Sequence, residues 1–434
     1  MSYLFSIIIP VYNSDEFIAS TIDSILVQKY SDVEIIIIND CSNDKTLQIC
    51  KNYQRLNNNI KIINKKKNSG VGDSRNEGIN KASGDYIIFV DSDDELYKHA
   101  LNNLYNEVKT KKYPEVLVVH YKKDTFPQSN YKLIQDNINN TNCSEKLIKY
   151  LNKHKFPFAD CWSFVVKKSF ITSNSIYFPK IRIGESELFV AKLICYMKSF
   201  SFMPQEFYNK KDRDFSLNHT QGFEAAKSTL VLLIEFYIFN KSANFNEIKN
   251  NFNNSYIQDA FGIFSSLLIL LNRNELKELS YIIEKYKNNL KDLIKYPENI
   301  NFYTLVMELG GYKGLLSYRE TIISNKIKLV KNLSNNYLSI YAYCRHKYTA
   351  ATIKALNENG YNVSGVIDDG KEYINTNFLG FKTINSKIFF NEIKGNLNNI
   401  LVIITHQRDK TLNKISENLI KNGIRKHQIV KIKY

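Results

Sequence analysis

Residues 84–96 read Gly-Asp-Tyr-Ile-Ile-Phe-Val-Asp-Ser-Asp-Asp-Glu-Leu, a short apolar run that stops at the carboxylates Asp91, Asp93 and Asp94. The run, Tyr86 to Val90, has the length and composition of a buried strand. Three acids crowded at its end repel one another. A hard divalent cation with bound phosphates relieves that repulsion, because Mg2+ or Mn2+ takes oxygen ligands. The competing reading is a helix start, where Asp93 and Asp94 would favour the dipole.

Two further apolar runs precede this one. Phe5 to Ile9 ends at Pro10, and Ile35 to Ile38 ends before Asp40. Between them Phe17, Ile18, Ile22, Ile25 and Leu26 recur at helical spacing, with Asn13 or Ser14 as cap and Glu16 placed for a capping box. A helix over 44–55, a strand over 60–63 and a helix over 71–81 continue the alternation up to the 86–90 strand. That pattern predicts a doubly wound α/β sheet, in which ligands bind beyond the carboxyl ends of the strands. A strand over 115–120, an Asn-rich stretch and mixed apolar segments to about residue 219 complete this domain. Helical periodicity dominates 222–332, and strand, helix and strand patterns return over 337–421. The expected organisation is an α/β domain over 1–221, a helical region over 222–335 and a small Rossmann-like α/β domain over 336–434.

The chain has 434 residues, 44% of them hydrophobic and 24% charged, which places it among globular multidomain proteins. Its longest apolar runs, 230–234 and 263–271, are too short to cross a bilayer. Residues 1–13 lack the pattern of a secretory leader, so a cytoplasmic protein is expected. Six cysteines without a CxxC pair suggest neither a zinc site nor a disulfide framework. The net charge of +16 favours an anionic partner. Lysines at 61, 65–67, 146, 149, 153 and 155 would suit peripheral contact with an anionic membrane, or simply solubility. They form no recognisable nucleic-acid motif, and no nucleic-acid partner is expected.

Three other segments carry chemistry. In Phe5–Asn13 (FSIIIPVYN), Tyr12 leaves the first strand where it could stack on a base or cover the core. In Ile35–Asp44 (IIIINDCSND), Asp40 is placed to accept hydrogen bonds from a nucleobase or ribose, or to cap the next helix. In Asn68–Gly78 (NSGVGDSRNEG), Gly70 and Gly72 open a helix whose amino terminus suits anions, and Arg75 follows one turn later, placed for phosphate or base.

In this order and spacing, Pro10–Asn13, Asn39–Ser42, Gly70–Gly78 and Asp91–Asp93 resemble the family 2 glycosyltransferases of the GT-A fold, over residues 4 to about 96. The resemblance implies that the Pro10 turn with Tyr12, together with Asp40, holds the base of a nucleotide-sugar. It places Arg75 near the nucleotide, Asp91 on ribose or on a water of the metal, and Asp93 as ligand to Mn2+ or Mg2+. The implied donor is a UDP-sugar, and the implied acceptor a hydroxyl of a glycan or lipid-linked glycan, as in capsule or lipooligosaccharide assembly. Cys41 stands where the family often has glycine. The larger departure lies in Phe178–Phe189 (FPKIRIGESELF), which resembles the family motif GEDxxF but has Ser186 in place of the aspartate that serves as base.

An inverting transfer needs a group to take the acceptor's proton, and serine cannot do so near neutral pH. Glu185, then Glu187, are the candidates, unless these acids merely start a helix. Trp162, in a stretch that resembles the one before the acceptor motif, is a candidate for stacking on sugar, with a core role the competing reading. Arg213 and His219, in a segment resembling the family loop that follows, are candidates for the diphosphate. The close of the C-terminal module, Gly365–Asp369, resembles a nucleotide fold, but its first turn (Tyr341–His346) lacks the glycines that let backbone approach pyrophosphate. His406, Arg408 and Asp409 offer at most a polar loop. Two other functions compete: a sugar-nucleotide-binding protein without turnover, suggested by Ser186, and a sugar nucleotidyltransferase, disfavoured because no Gly-rich, Arg-containing loop follows the first strand.

Overall fold

β1 (Phe5–Val11), β2 (Val33–Asn39), β3 (Ile60–Asn64) and β4 (Tyr86–Phe89) form the parallel half of an eight-stranded sheet, in the order β3-β2-β1-β4. α1 (Ile18–Leu26), α2 (Thr46–Leu56) and α3 (Val71–Lys81) connect them. Every residue of β1, β2 and β4 is buried, which is why these strands read as unbroken apolar runs. Ile7, Ile9, Ile35, Ile37 and Ile88 pack in one core with Ile18, Ile22 and Ile25 of α1. This computed structural model describes residues 3–121, 160–211, 222–242, 245–286, 311–334, 339–344, 347–370, 376–393, 397–406 and 409–433, with Ser144, Glu145, Leu147, Ile148, Tyr337 and Ile374.

Pro10 sits inside β1, paired with Ile38 of β2. Its missing N–H falls on the β4 side, one rung beyond the last bond of that ladder, Val90 N to Ile8 O. Proline is tolerated there because the ladder ends, and β4 is free to diverge into the acidic turn. Gly78 lets α3 lie on β1, since a Cβ there would come within 2.4 Å of Ile8 Cγ2.

The sheet continues through β5 (Glu95–Leu96), β6 (Val116–Tyr121), β7 (Phe164–Lys167) and β8 (Phe200–Asn209), giving the full order β3-β2-β1-β4-β7-β6-β8-β5. β7 is antiparallel to both β4 and β6. α4 (Ala100–Thr110), α5 (Lys168–Ser173) and α6 (Glu185–Tyr196) belong to the same part of the chain.

Two local expectations are corrected. The capping box at α1 does not form: the Ser14 hydroxyl lies 2.8 Å from Ser92 Oγ, and Phe17, at the cap position, gives the helix no side-chain cap hydrogen bond. The competing helix start at Asp93 and Asp94 is also absent, since these residues lead into β5 and α4 begins only at Ala100.

The chain divides into two compact units, Met1–Arg213 with Phe239–Tyr256, and Asp214–Ile238 with Ile257–Tyr434. α7 (Phe223–Ser242) and α8 (Glu247–Leu268) run from one unit into the other. The second unit adds α9 (Arg273–Lys285), which opens on an Asn272–Glu275 capping box, and α10 (Gly311–Ser334). Its sheet has the order β11-β12-β10-β9-β13-β14, built from β9 (Ser339–Tyr343), β10 (Val363–Ile367), β11 (Asn377–Phe378), β12 (Phe381–Ile384), β13 (Ile400–His406) and β14 (Ile429–Lys433). All its neighbours are parallel except β11 and β12. α11 (Lys347–Glu358), α12 (Ser386–Glu392) and α13 (Asp409–Lys421) complete it. β11, β12, β14 and α12 lie outside the elements predicted for this module. Among the described residues no helix is long and apolar enough to cross a membrane.

Candidate active site

Tyr12 after β1, Asp40 after β2, Lys65 after β3 and Asp91 after β4 lie along one edge, at the carboxyl ends of the parallel strands. The strand order reverses between β1 and β4, the place where open α/β sheets leave a crevice for ligands. Short bonds fasten the loops here. Asn13 N donates to Ser42 Oγ (3.0 Å), Asn43 N donates to Asn13 Oδ1 (2.9 Å), and Thr21 Oγ1 donates to the Ser92 carbonyl (3.0 Å). Tyr12 is 46% exposed, so it does not cover the core and its ring stands open to a ligand.

Asp40, by contrast, is 3% exposed and holds the start of α3. Its Oδ2 accepts from Gly70 N (2.8 Å) and its Oδ1 from Ser69 N (3.0 Å), with Lys65 Nζ 3.0 Å from Oδ1. Gly70 has φ +93, a backbone that favours glycine. Lys65 also reaches Asp73 Oδ2 at 2.9 Å; burial works against its charge, but the bonds to Asp73 and Asp40 outweigh burial and raise its pKa. The next residue, Cys41, has φ +64, which is the physical reason for a glycine preference at this position.

The acidic turn gathers three carboxylates. Oxygens of Asp91, Asp93 and Asp94 lie within 4.8 Å of one another, a set of hard donors that suits Mg2+ or Mn2+. They are not equivalent. Asp94 is 3% exposed, accepts from Tyr208 Oη (2.7 Å) and Lys211 N (2.9 Å), and burial pushes its carboxyl up to about 7 despite the Lys211 bond. Asp91 Oδ1 accepts from Arg75 Nη2 (2.8 Å). Asp93 is half-buried.

Arg75 has partners that its position in the sequence does not suggest. It is 4% exposed, and its guanidinium is committed to protein carboxylates: Nη2 to Asp91 and Nη1 to Glu185 Oε1 (2.7 Å). It lies 5.3 Å over the Phe178 ring. Gly72 makes this approach possible, since a Cβ there would meet Glu185 Cγ at 3.1 Å and Phe178 Cβ at 3.2 Å. Arg75 therefore bridges the turn after β4 and the first residue of α6 instead of presenting a free cation to phosphate.

Glu185 and Glu187 open α6 after Gly184, which has φ +81. Glu185 is 8% exposed and its Oε1 also takes the Ser186 hydroxyl at 3.3 Å; Glu187 is half-buried. Ser186 Oγ lies 3.4 Å from Arg75 Nη1, so the serine joins the same network. Trp162 is 3% exposed, stacked on Tyr208 with centroids 4.6 Å apart and planes 12° apart, with Lys210 Nζ 5.2 Å from its centroid. Its burial and its stacking on Tyr208 favour the competing core reading over contact with sugar. Arg213, His219 and Arg408, and the side chains of His406 and Asp409, lie outside the described residues.

Sequence reasoning missed Asp160, which precedes the 3₁₀ turn Cys161–Ser163. It is half-buried, its side chain does not cap that turn, and burial raises its pKa while Lys210 acts to lower it. Its place three residues after Pro157 and two before Trp162 was the only signal. In the second unit, Cys344 has φ +75 at the turn after β9, and Tyr343 Oη donates to Asp369 after β10.

Residues 6–173 match the family described as Glycosyl transferase family 2. The chain is 32% identical over 124 residues to glycosyltransferase GlyG of Streptococcus pneumoniae serotype 4, covering 29% of this chain and 41% of that one. It is 27% identical over 340 residues to the cholesterol galactosyltransferase of Borreliella burgdorferi, covering 76% and 91%. With poly(ribitol-phosphate) beta-N-acetylglucosaminyltransferase TarS of Staphylococcus aureus it shares 29% identity over 211 residues, covering 47% and 35%. The chain thus spans less than half the length of GlyG and TarS. The crystal structure of TarS residues 1–349 aligns with a TM-score of 0.51 at 18% identity, over 74% of this chain and 91% of that one, a likeness of fold.

Proposed function

We propose, on the premise that residues 6–173 form a family 2 glycosyl transferase domain with the GT-A fold, that the chain transfers a sugar from a UDP-sugar to a hydroxyl of a growing cell-surface glycan, with inversion at the anomeric carbon. One observation carries this reading. Tyr12, Asp40, Asp91 and Asp93 converge on the carboxyl edge of β1, β2 and β4, at the reversal of strand order. The names of TarS and the B. burgdorferi galactosyltransferase support a transferase of N-acetylglucosamine or galactose.

In this reading Tyr12 stacks on uracil, and Asp40 fixes the Ser69–Gly70 backbone while offering the remaining lone pair of its Oδ2 to the base. Pro10 ends the β1–β4 ladder and so shapes the cleft rather than touching the ligand. Asp93, with Asp91 beside it, would hold Mn2+ or Mg2+. Bound there, the ion supplies positive charge against the departing diphosphate. The Lys65–Asp40–Asp73 group and the Arg75 bridge keep these side chains in place without a ligand. The helical region and the C-terminal sheet are proposed to serve the acceptor or assembly, and the basic surface to meet an anionic membrane.

Calorimetric titration with UDP, with and without Mn2+, tests the site. The expected result is Mn2+-dependent binding that Asp93→Ala weakens at least tenfold. Failure of the wild type to bind UDP in either condition would overturn the assignment. A second reading, donor binding without turnover, is favoured by Ser186 and would show as tight UDP binding with no sugar release.

A further inference from the structure

The transferase reading leaves one role unassigned, because position 186 is serine and Glu185 is already engaged. Glu185 Oε1 takes both Arg75 Nη1 (2.7 Å) and Ser186 Oγ (3.3 Å), and the residue is 8% exposed. Protonating it would break the Arg75 bridge and leave a buried guanidinium short of a partner, a costly change for a group that must accept and return a proton in each cycle. Asp94 is no better placed, since it is buried against Tyr208 and Lys211. The base must be a carboxylate that is open enough to meet an acceptor and free to gain a proton.

We propose that Asp160 is that base. This assignment rests on the transferase reading. Among the described residues its carboxylate makes no hydrogen bond or ion pair; only its carbonyl is used, by Ser163 N at 3.1 Å. The charges that act on it are those of the site itself: Lys210, Asp91, Arg75 and Glu185. The turn that follows it packs on β6, on β4, which leads into the Asp91 turn, and on α6, which carries Glu185. Cys161, its neighbour, is fully buried beside Arg75, and its sulfur accepts a hydrogen bond from the Ser186 hydroxyl. The backbone of Asp160 is therefore anchored to the network around position 186 while its side chain is not spent in it. Burial raises its carboxyl pKa, which strengthens it as a proton acceptor, and Lys210 keeps it ionised.

The step balances without a further reagent. The acceptor O–H gives its proton to the Asp160 carboxylate as the oxygen forms a bond to the anomeric carbon. The bond from that carbon to the diphosphate oxygen breaks, and UDP leaves with the electron pair. Glu185 acts through Arg75, as a positioning residue for Asp91.

The test is steady-state release of UDP from UDP-GlcNAc and UDP-galactose, with water as acceptor, alongside UDP binding in Mn2+ by calorimetry. Asp160→Asn is expected to lower kcat about 100-fold or more with KM within threefold and UDP affinity unchanged. Retained affinity shows that the variant is folded and that the donor site is intact. Asp160→Asn within threefold of wild-type kcat overturns the assignment, as does a fall in UDP affinity that matches the fall in rate. A wild type that binds UDP but releases none from either donor also overturns it, leaving a binding site without a base. Absence of UDP binding refutes the transferase reading itself.

Discussion

Replacing Glu34 by glutamine should cost the N-terminal unit about 3 kcal/mol at pH 7, and the number follows from the carboxylate's surroundings. Glu34 is fully buried in β2, at the edge opposite the candidate site. Its Oε1 accepts from Ser6 Oγ (2.6 Å), Ser83 N (2.5 Å), Ser83 Oγ (2.7 Å) and Gly84 N (3.1 Å), and its Oε2 from Lys61 Nζ (2.7 Å). Burial alone would raise its pKa, but the bonds from Lys61, Ser6 and Ser83 outweigh burial and bring it from 4.5 to about 2. At about 1.4 kcal/mol per pKa unit, that gap corresponds to about 3 kcal/mol. The folded value lies below the unfolded one, so this stability is fully present above pH 4.5 and is lost as the pH falls towards 2. Glutamine would also turn an amide N–H2 towards either Lys61 or the Ser83–Gly84 donors. Denaturant unfolding followed at pH 7, 5 and 3, with hydrogen exchange in β1, β2 and β4 to assign the loss to this unit, makes the comparison. The wild type should lose stability more steeply than Glu34→Gln between pH 5 and 3. A variant within about 0.5 kcal/mol of wild type at pH 7, with a parallel pH profile, would show that the Glu34 charge contributes no such stability.

Three other substitutions test the fold around the site. Gly78→Ala puts a Cβ 2.4 Å from Ile8 Cγ2, so a loss of about 1–2 kcal/mol is expected in unfolding experiments even after the helix-propensity gain. Cys41→Gly relieves a φ of +64 and should stabilise by about 1 kcal/mol while leaving UDP affinity unchanged; a loss of stability would show that the thiol packing outweighs the strain. Tyr208→Phe removes the hydroxyl that donates to Asp94 at 2.7 Å, and about 1–2 kcal/mol should go with it; an unchanged melting temperature would mean that the Lys211 amide alone satisfies the carboxylate.

The parallel half of the sheet was legible because β1, β2 and β4 are buried on both faces and so appear as apolar runs of strand length. The acids and glycines at their ends were legible for the same reason: each follows a strand or opens a helix at a recognisable place. What pairs with what across the chain was not. Arg75 lies one turn into α3, where spacing suggests an anion, yet its partner Glu185 is 110 residues away and only the folded chain brings them together. Ser14 looks like a helix cap from its neighbours, but its hydroxyl pairs with that of Ser92, 78 residues on. Asp160 carries no periodic signal, and its place two residues before Trp162 does not single it out. Its interest comes from having no partner among the described residues, which is a property of the fold. In the second unit the short strands β11 and β12 escaped because two- and four-residue strands carry too little pattern to read.

A crystal structure with UDP and Mn2+ tests the donor site most directly. The uracil should lie against Tyr12 and Asp40, with the metal on Asp93 between the protein and the diphosphate. A nucleotide bound elsewhere, such as beyond β9 and β10 in the C-terminal sheet, or a metal with no contact to Asp93, would contradict this placement.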